Sequence, residues 1–258
     1  MARNSHNFLT WFDAGDNEFI LPLPRPFARE PEMLSPVVWL VPGDTVSFYI
    51  NTVDETVIEG NIEILKDGAA TVVVDTVTQI DFPTGSHRYG SFVVPALSEG
   101  FCQLRIGTTL SQYCWVSTAA NAADRTAIVK FRNDQRLGGG TNVRWSYLPE
   151  NFYQQFRIRL AMRGEEVETN KETYRESTTG KTVSLYSEAR QIVSFLTPEY
   201  NYWGHRAIAG MLEHDTLLIN NQPYQFQTGY KSNMNEGDAL SQGEFSLSDE
   251  NTATINRN

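Results

Sequence analysis

The chain is short of positive charge. Its 258 residues include 21 Lys and Arg against 31 Asp and Glu, a formal charge of −10. Neutralising phosphates needs a basic face, so this balance argues against a nucleic-acid partner. It disfavours an anionic membrane surface for the same reason. No apolar run approaches the roughly 20 residues of a membrane span. Nor does an apolar core of the roughly 7–15 residues of a secretory signal follow Met1-Ala2-Arg3-Asn4. The expectation is a protein made in a cytoplasm. Histidine is scarce: His6, His87, His205 and His214 show no i, i+3 or i+4 pair, which leaves zinc almost no support. A G-x-S-x-G elbow, a Walker loop and a G-x-G-x-x-G turn are also missing. No catalytic residue, metal ligand or cofactor site is assigned.

Cysteine is equally sparse, with only Cys102 and Cys114. They lie in strand-like runs on either side of Gly107-Thr108-Thr109-Leu110-Ser111. A hairpin centred on Thr108 sets the two sulfurs opposite each other. They read either as a disulfide made after release from the cell or as two small apolar core groups that stay reduced.

Hydrophobic residues make up 40% of the chain, a globular composition, and their spacing is mainly that of strands. Residues 37–118 read as an immunoglobulin-like β-sandwich. Val46, Phe48 and Ile50 alternate with polar residues, and so do Ile58, Ile62 and Ile64. Asp67-Gly68 is a hairpin signal. About seven short strands with regular turns fit a sandwich. The polar, small-residue stretch 119–125 reads as a linker. The charge divides there: residues 1–125 carry 7 basic and 15 acidic side chains, residues 126–258 carry 14 and 16.

Residues 126–248 read as a second β-rich domain with one short helix. Phe156, Ile158, Leu160 and Met162 alternate with Arg157, Arg159 and Arg163. Gly164-Glu165 is expected to turn the chain, bringing Glu166, Glu168 and Glu172 back beside those arginines. Lys181 to Tyr186 and Gln191 to Leu196 read as separate strands. Thr197 as N-cap and Pro198 at the first position predict a helix over about 198–213. His205 and His214 lie on or just after it, where a helix C-terminus attracts histidine. Residues 249–258 read as a tail.

Residues 1–36 read as an extended arm, with Pro22, Pro24, Pro26, Pro31 and Pro36 close together. It also carries Phe8, Leu9, Trp11, Phe12, Phe19 and Phe27, too many large apolar groups for a solvated tail. They are the interface candidates: an arm of this kind lies along its own domain or a neighbouring subunit, and the neighbour is the slightly favoured expectation. Asp13 to Glu18 loosely matches a calcium loop, but Gly15 is misplaced for one, so the segment reads as a solvated turn.

Three further segments carry a resemblance. Trp39-Leu40-Val41-Pro42-Gly43-Asp44-Thr45-Val46, Phe101-Cys102-Gln103-Leu104-Arg105-Ile106 and Ala127-Ile128-Val129-Lys130-Phe131-Arg132-Asn133 resemble a set of virion structural proteins of tailed phages and prophages of the Bacteroidetes group. Gly180 to Leu185, the run from Pro198 to Met211, and Leu212 to Asn220 continuing to Tyr224 resemble their C-terminal part. The likeness covers roughly residues 37–247; the arm has no counterpart in it. It implies a non-enzymatic component of the tail, tail tip or neck. The expected partners are further copies of the chain and other virion proteins, in a virion. Two alternatives stay open. One is a module binding a host glycan or receptor through exposed Tyr147, Tyr153, Tyr200, Tyr202 and Trp203. The other is a hydrolase with dispersed carboxylates.

Overall fold

The computed structural model describes residues 2–3, 8–9, 11–12, 37–52, 60–74, 77–82, 85–133, 145, 148–200, 202–232, 240–249 and 253–255. Its first half contains β1 (Ala2–Arg3), β2 (Trp11–Phe12), β3 (Val38–Leu40), β4 (Thr45–Thr52), β5 (Ile62–Lys66), β6 (Ala69–Val74), β7 (Thr78–Phe82), β8 (Gly85–Val93), β9 (Gly100–Ile106), β10 (Thr109–Ser111), β11 (Cys114–Val116) and α1 (Ala119–Ala123). Its second half contains β12 (Thr126–Arg132), β13 (Gln154–Arg159), β14 (Ala161–Arg175), β15 (Thr182–Leu196), α2 (Tyr202–Leu212), β16 (Thr216–Ile219), β17 (Gln222–Ser232), β18 (Gly243–Asp249) and β19 (Ala253–Ile255). The chain is mainly β.

Local chemistry accounts for most of the strands. Ile62, Ile64, Leu104 and Ile106 are buried while their neighbours are not, the period-two pattern of a half-buried sheet. Asp67 and Gly68 both have positive φ, as a two-residue hairpin turn matched to strand twist requires. Asn220 and Asn221 do the same between β16 and β17. Gly90 faces Phe48 across β4 and β8; a Cβ there would lie 2.8 Å from the Phe48 ring.

Two layers result. One hydrogen-bonded path runs β1-β2-β10-β9-β11-β3-β13-β12-β16-β17-β18-β15-β14, with β5 and β6 continuing from β9 and β19 added to β15. The sheet β4-β8-β7 is separate. β3 sits between two distant partners, parallel to β11 and antiparallel to β13. Hydrogen bonding therefore runs continuously past residues 119–125. Those residues form α1, capped by the Thr118 hydroxyl, which accepts from the Asn121 amide at 3.2 Å. Ala122 of α1 packs with Trp39, Val41 and Trp115. One apolar core holds Phe8, Val46, Leu104, Phe156 and Leu247 together.

Several expectations need correction. Gly164-Glu165 is not a turn: β14 runs straight through it, with a bulge between Met162 and Gly164. Arg157 finds Asp44, and Arg163 finds Glu244 on β18; Glu166, Glu168 and Glu172 extend along β14 itself. The strand pattern ends at Leu160, so Phe156, Ile158 and Leu160 are buried and Met162 is 54% exposed. The two strands expected in 181–196 are one, β15. Thr197 does not cap α2; its hydroxyl accepts from the Gly243 amide at 2.8 Å. Tyr200 instead bridges to Ser241 through the backbone.

Phe8, Leu9 and Trp11 belong to this chain's own core and are fully buried. The Phe8 ring lies 5.4 Å from Phe156 and 6.1 Å from Phe131. The Gln112 amide donates to the Phe8 carbonyl. Phe12 lies on β2, opposite Leu110. Phe19, Phe27, Ile58, Asp13 to Glu18, the Gly138-Gly139-Gly140 loop and Tyr147 lie outside the described residues.

Candidate functional site

Among the described side chains none of β14 enters the core; β14 pairs along its length with β15, which contributes Val193 and Phe195 to it. The composition of β14 explains its absence there. Ala-Met-Arg-Gly-Glu-Glu-Val-Glu-Thr-Asn-Lys-Glu-Thr-Tyr-Arg has no apolar residue at every second position, so neither face can join a core. Thr and Tyr supply β propensity without supplying a buried side. All described side chains from 161 to 182 are exposed, including Val167 at 67% and Tyr174 at 52%. Each strand has 15 residues and is roughly 50 Å long at about 3.3 Å per residue.

Support for the ribbon is one-sided. β18 pairs with β15 from Ile192 to Leu196, and β19 pairs with it from Ser187 to Ala189. Beyond Ser187 only two strands remain among the described residues. The far edge of β14 pairs with nothing among the described residues. The tip is well closed: the Glu176 amide donates to the Lys181 carbonyl and the Gly180 amide to the Glu176 carbonyl, both at 2.9 Å. The Thr179 hydroxyl donates to the Glu176 carboxylate at 2.6 Å. Gly180 has φ +67°, where a side chain would strain the backbone. Chemically, the open edge offers a row of backbone donors and acceptors flanked by charges of both signs. That is a template for another strand, and soluble proteins usually cover or shorten such an edge.

The two histidines near α2 fall into separate clusters, and neither is arranged for catalysis. His205 reaches Ser241 through Nε2, at 2.8 Å to the hydroxyl and 3.0 Å to the carbonyl, and reaches the Tyr230 hydroxyl through Nδ1. The spacing matches a serine–histidine pair, but the Ser241 carbonyl competes with the hydroxyl for the same Nε2. Hydrogen on Nε2 satisfies the Ser241 carbonyl and lets Tyr230 donate to Nδ1. Nε2 then has no lone pair to take a proton from Ser241. Burial pushes Tyr230 up to about 12 and holds His205 below the ordinary histidine range. The cluster ties α2 to β17 and to the segment entering β18.

His214 donates from Nδ1 to the Gly210 carbonyl at 2.7 Å and accepts from the Trp145 indole at 3.1 Å. Its ring packs on Phe131 and Trp145. Desolvation by burial lowers its pKa. Both nitrogens are committed, so His214 is a packing group. Among the described residues, no three His, Cys, Asp or Glu side chains gather where a metal ion would fit. No helix among them is long and apolar enough to cross a membrane.

Of the aromatics expected to stack on sugars, Tyr147 and the side chains of Tyr202 and Trp203 lie outside what is described, and the other two offer no shared face. Tyr200 is fully buried, with its hydroxyl on the Arg159 carbonyl. Tyr153 is partly covered by the Arg132 guanidinium, 5.0 Å above its ring. A recess of about 240 Å³ lies nearby, walled by Arg132, Asn133, Trp145, Glu150 and Phe152. Trp145 is itself buried and spends its indole N–H on His214, so it offers no stacking face.

Cys102 and Cys114 stand directly opposite in register on β9 and β11, as the hairpin spacing predicts. Both are free and buried. The return strand gains one residue between β10 and β11, since Leu110 pairs with Arg105 but Cys114 with Cys102. Ser111 absorbs the irregularity by accepting the Leu104 amide on its hydroxyl at 2.8 Å.

The sequence reading missed the ribbon. The available signal is a long Thr- and Glu-rich stretch with β propensity but no alternation. No family model matches the chain, and no curated protein or solved structure does.

Proposed function

We propose that this chain is a structural component of a tailed-phage virion, in the tail, tail tip or neck, working through subunit interfaces in a symmetric assembly. It is not an enzyme on this reading, and its place is the virion. The observation that carries the proposal is the β14–β15 ribbon, whose described β14 side chains are exposed on both faces and whose β14 edge pairs with nothing among the described residues. A two-stranded ribbon alone is marginal in water. One of this length is understandable if a neighbour completes it. The resemblance of residues 39–46, 101–106 and 127–133 to phage virion proteins supports the class of particle.

The proposal keeps an immunoglobulin-like arrangement for residues 37–118. Two sheets support it: β4-β8-β7 on one side and β5, β9, β11 and β3 on the other, with Val46, Phe48, Ile62 and Leu104 in the core they share. The second β-rich unit then carries the ribbon.

The test is the native mass of the purified chain across a concentration series. The expected result is a closed oligomer of fixed copy number. Replacing residues 172–186 with an Asn-Gly turn shortens the ribbon while keeping the β15 pairings to β18 and β19, and should lower the mass while leaving the unfolding midpoint nearly unchanged. A full-length chain that stays monomeric at every concentration, and is not incorporated into purified particles, would refute the reading.

A further inference from the structure

The charge pattern along β14 bears on what completes its open edge. From Gly164 to Glu172 the strand is regular: the bulge between Met162 and Gly164 lies before this stretch, and the irregularity between Glu172 and Thr173 lies after it. Alternation puts Glu165, Val167, Thr169 and Lys171 on one face and Glu166, Glu168 and Glu172 on the other. Val167, at 67%, is the most exposed large apolar side chain among the described residues, and its strand has no outer neighbour among them.

The first face is complementary to itself about the position of Glu168. Glu165 and Lys171 stand equally far to either side with opposite charges, and so do Val167 and Thr169 as two β-branched groups. Consider a second β14, antiparallel and related by a two-fold axis through Glu168 perpendicular to the sheet. Glu165 then faces Lys171 of the second copy, Lys171 faces its Glu165, and Val167 and Thr169 face each other twice. Such an axis keeps each face of the two ribbons on the same side, as a shared sheet requires. On the other face Glu166 falls opposite Asn170 and Gly164 opposite Glu172, and the two Glu168 side chains meet on the axis. Arg190 stands opposite Glu168 in each ribbon, so a cation flanks that acidic pair on both sides.

Neighbouring registers are worse. With the axis at Val167, Glu166 faces Glu168; at Thr169, Glu166 faces Glu172; at Asn170, Glu168 faces Glu172; each clash occurs twice. A parallel copy in register sets every charge against itself. Like charges directly opposite destabilise a sheet, so the pattern selects one alignment. We propose that β14 is a self-pairing strand: two copies of this chain join edge to edge, antiparallel, with Glu168 on the two-fold axis, and their ribbons form one continuous sheet. Pairing continues past the bulge, so residues 173–175 of each copy lie against 161–163 of the other. The shortened ribbon described above loses both ends of this contact. A two-fold joint closes on itself and leaves neither β14 edge open. This rests on the assembly reading above and names its partner and its joint.

The test uses the full-length chain. Glu168→Cys sets a thiol opposite its own counterpart, with Cα atoms about 4.5–5.5 Å apart, inside the window for a disulfide. Mild oxidation should give a band at twice the chain mass; the native Cys102 and Cys114 are buried. Thr173 is also exposed but lies about 30 Å from its counterpart in this register, so Thr173→Cys should link at least tenfold more slowly. Independently, Glu165→Lys sets two cations face to face on both sides of the axis and should raise the dissociation constant about tenfold in sedimentation. Adding Lys171→Glu to the same chain should restore it. Both positions are exposed, and an unchanged urea midpoint shows that the fold is intact. An oligomer that links equally at 168 and 173, or whose mass ignores Glu165→Lys, refutes this joint and leaves the assembly reading standing. Links from Glu168→Cys only to a different protein of purified particles refute self-pairing in the same way. A monomer at every concentration sinks both.

Discussion

Replacing Asp44 with alanine should destabilise the fold well beyond what a surface charge is worth. Asp44 lies in the turn between β3 and β4, and Arg157 lies on β13, 113 positions later. Their contact is two-pronged, Nε to Oδ2 at 2.5 Å and Nη2 to Oδ1 at 3.2 Å. Nη1 also donates to the Thr126 hydroxyl on β12 at 3.2 Å, and that hydroxyl donates to the Ala122 carbonyl of α1 at 2.6 Å. Each charged side chain is only 16% exposed. Removing one partner leaves the other charge desolvated and unpaired, which costs about 3–5 kcal/mol when burial is complete. With the residual exposure, about 2–4 kcal/mol is expected for Asp44→Ala and a similar loss for Arg157→Met. Replacing both with apolar groups should cost much less than the sum, giving a coupling of about 2 kcal/mol. Urea unfolding followed by tryptophan fluorescence measures all four corners of the cycle. The exposed pair Arg163–Glu244, at 61% and 44% exposure, is the internal control. Its coupling should stay below about 1 kcal/mol. If the Asp44–Arg157 coupling is no larger than the control, the idea that this clamp joins the two halves of the sheet is wrong.

Other outcomes follow from packing and burial. Phe8→Ala should cost about 3–5 kcal/mol, the usual loss for a buried aromatic, read as a lower urea midpoint; a loss under 1 kcal/mol would mean that the segment is not part of the core. His205 and His214 are held below the ordinary histidine range, so the unfolded chain binds protons first. Their contribution to stability is complete above about pH 6.5 and declines as pH falls from there towards the native pKa. The urea midpoint should therefore drop between pH 7 and pH 5, and His214→Asn should remove part of that drop; an identical drop in the variant would refute the assignment. Burial pushes the Cys102 thiol to about 12 and Cys114 well above its ordinary value, so alkylation at pH 8 should be at least a hundredfold slower in native buffer than in urea. Comparable rates would show that the β9–β11 pair is open.

Legibility in the sequence followed the range of the interaction. Alternation found Val46, Phe48, Ile50, Ile62, Ile64, Phe156 and Ile158, because a half-buried strand writes its orientation into adjacent residues. Asp67-Gly68 and the cysteine register were readable for the same local reason. Partner choice was not readable. Arg157 could have paired with the acids just after it, yet it takes Asp44, because β13 lies beside β3. Thr197 has the chemistry of a helix cap but meets Gly243 first. The apolar groups at 8–11 announced that they needed burial, but not which surface would bury them. The ribbon escaped notice because it lacks the feature that alternation detects, a hidden face.

The position of β3 also has a consequence in time. This three-residue strand is bonded on one side to β11 and on the other to β13, with Trp39 opposite Trp115 and Arg157. Its second neighbour is made 118 residues after Trp39. At about 5–20 residues per second, that delay is roughly 6–24 s on the ribosome. Throughout it Val38 and Leu40 have no β13 beside them, and the seat of Phe8 lacks the Phe131 and Phe156 rings for much of it. The first half of this protein therefore waits for the second, and the chain emerging from the ribosome needs shielding through that interval, whatever it later becomes part of.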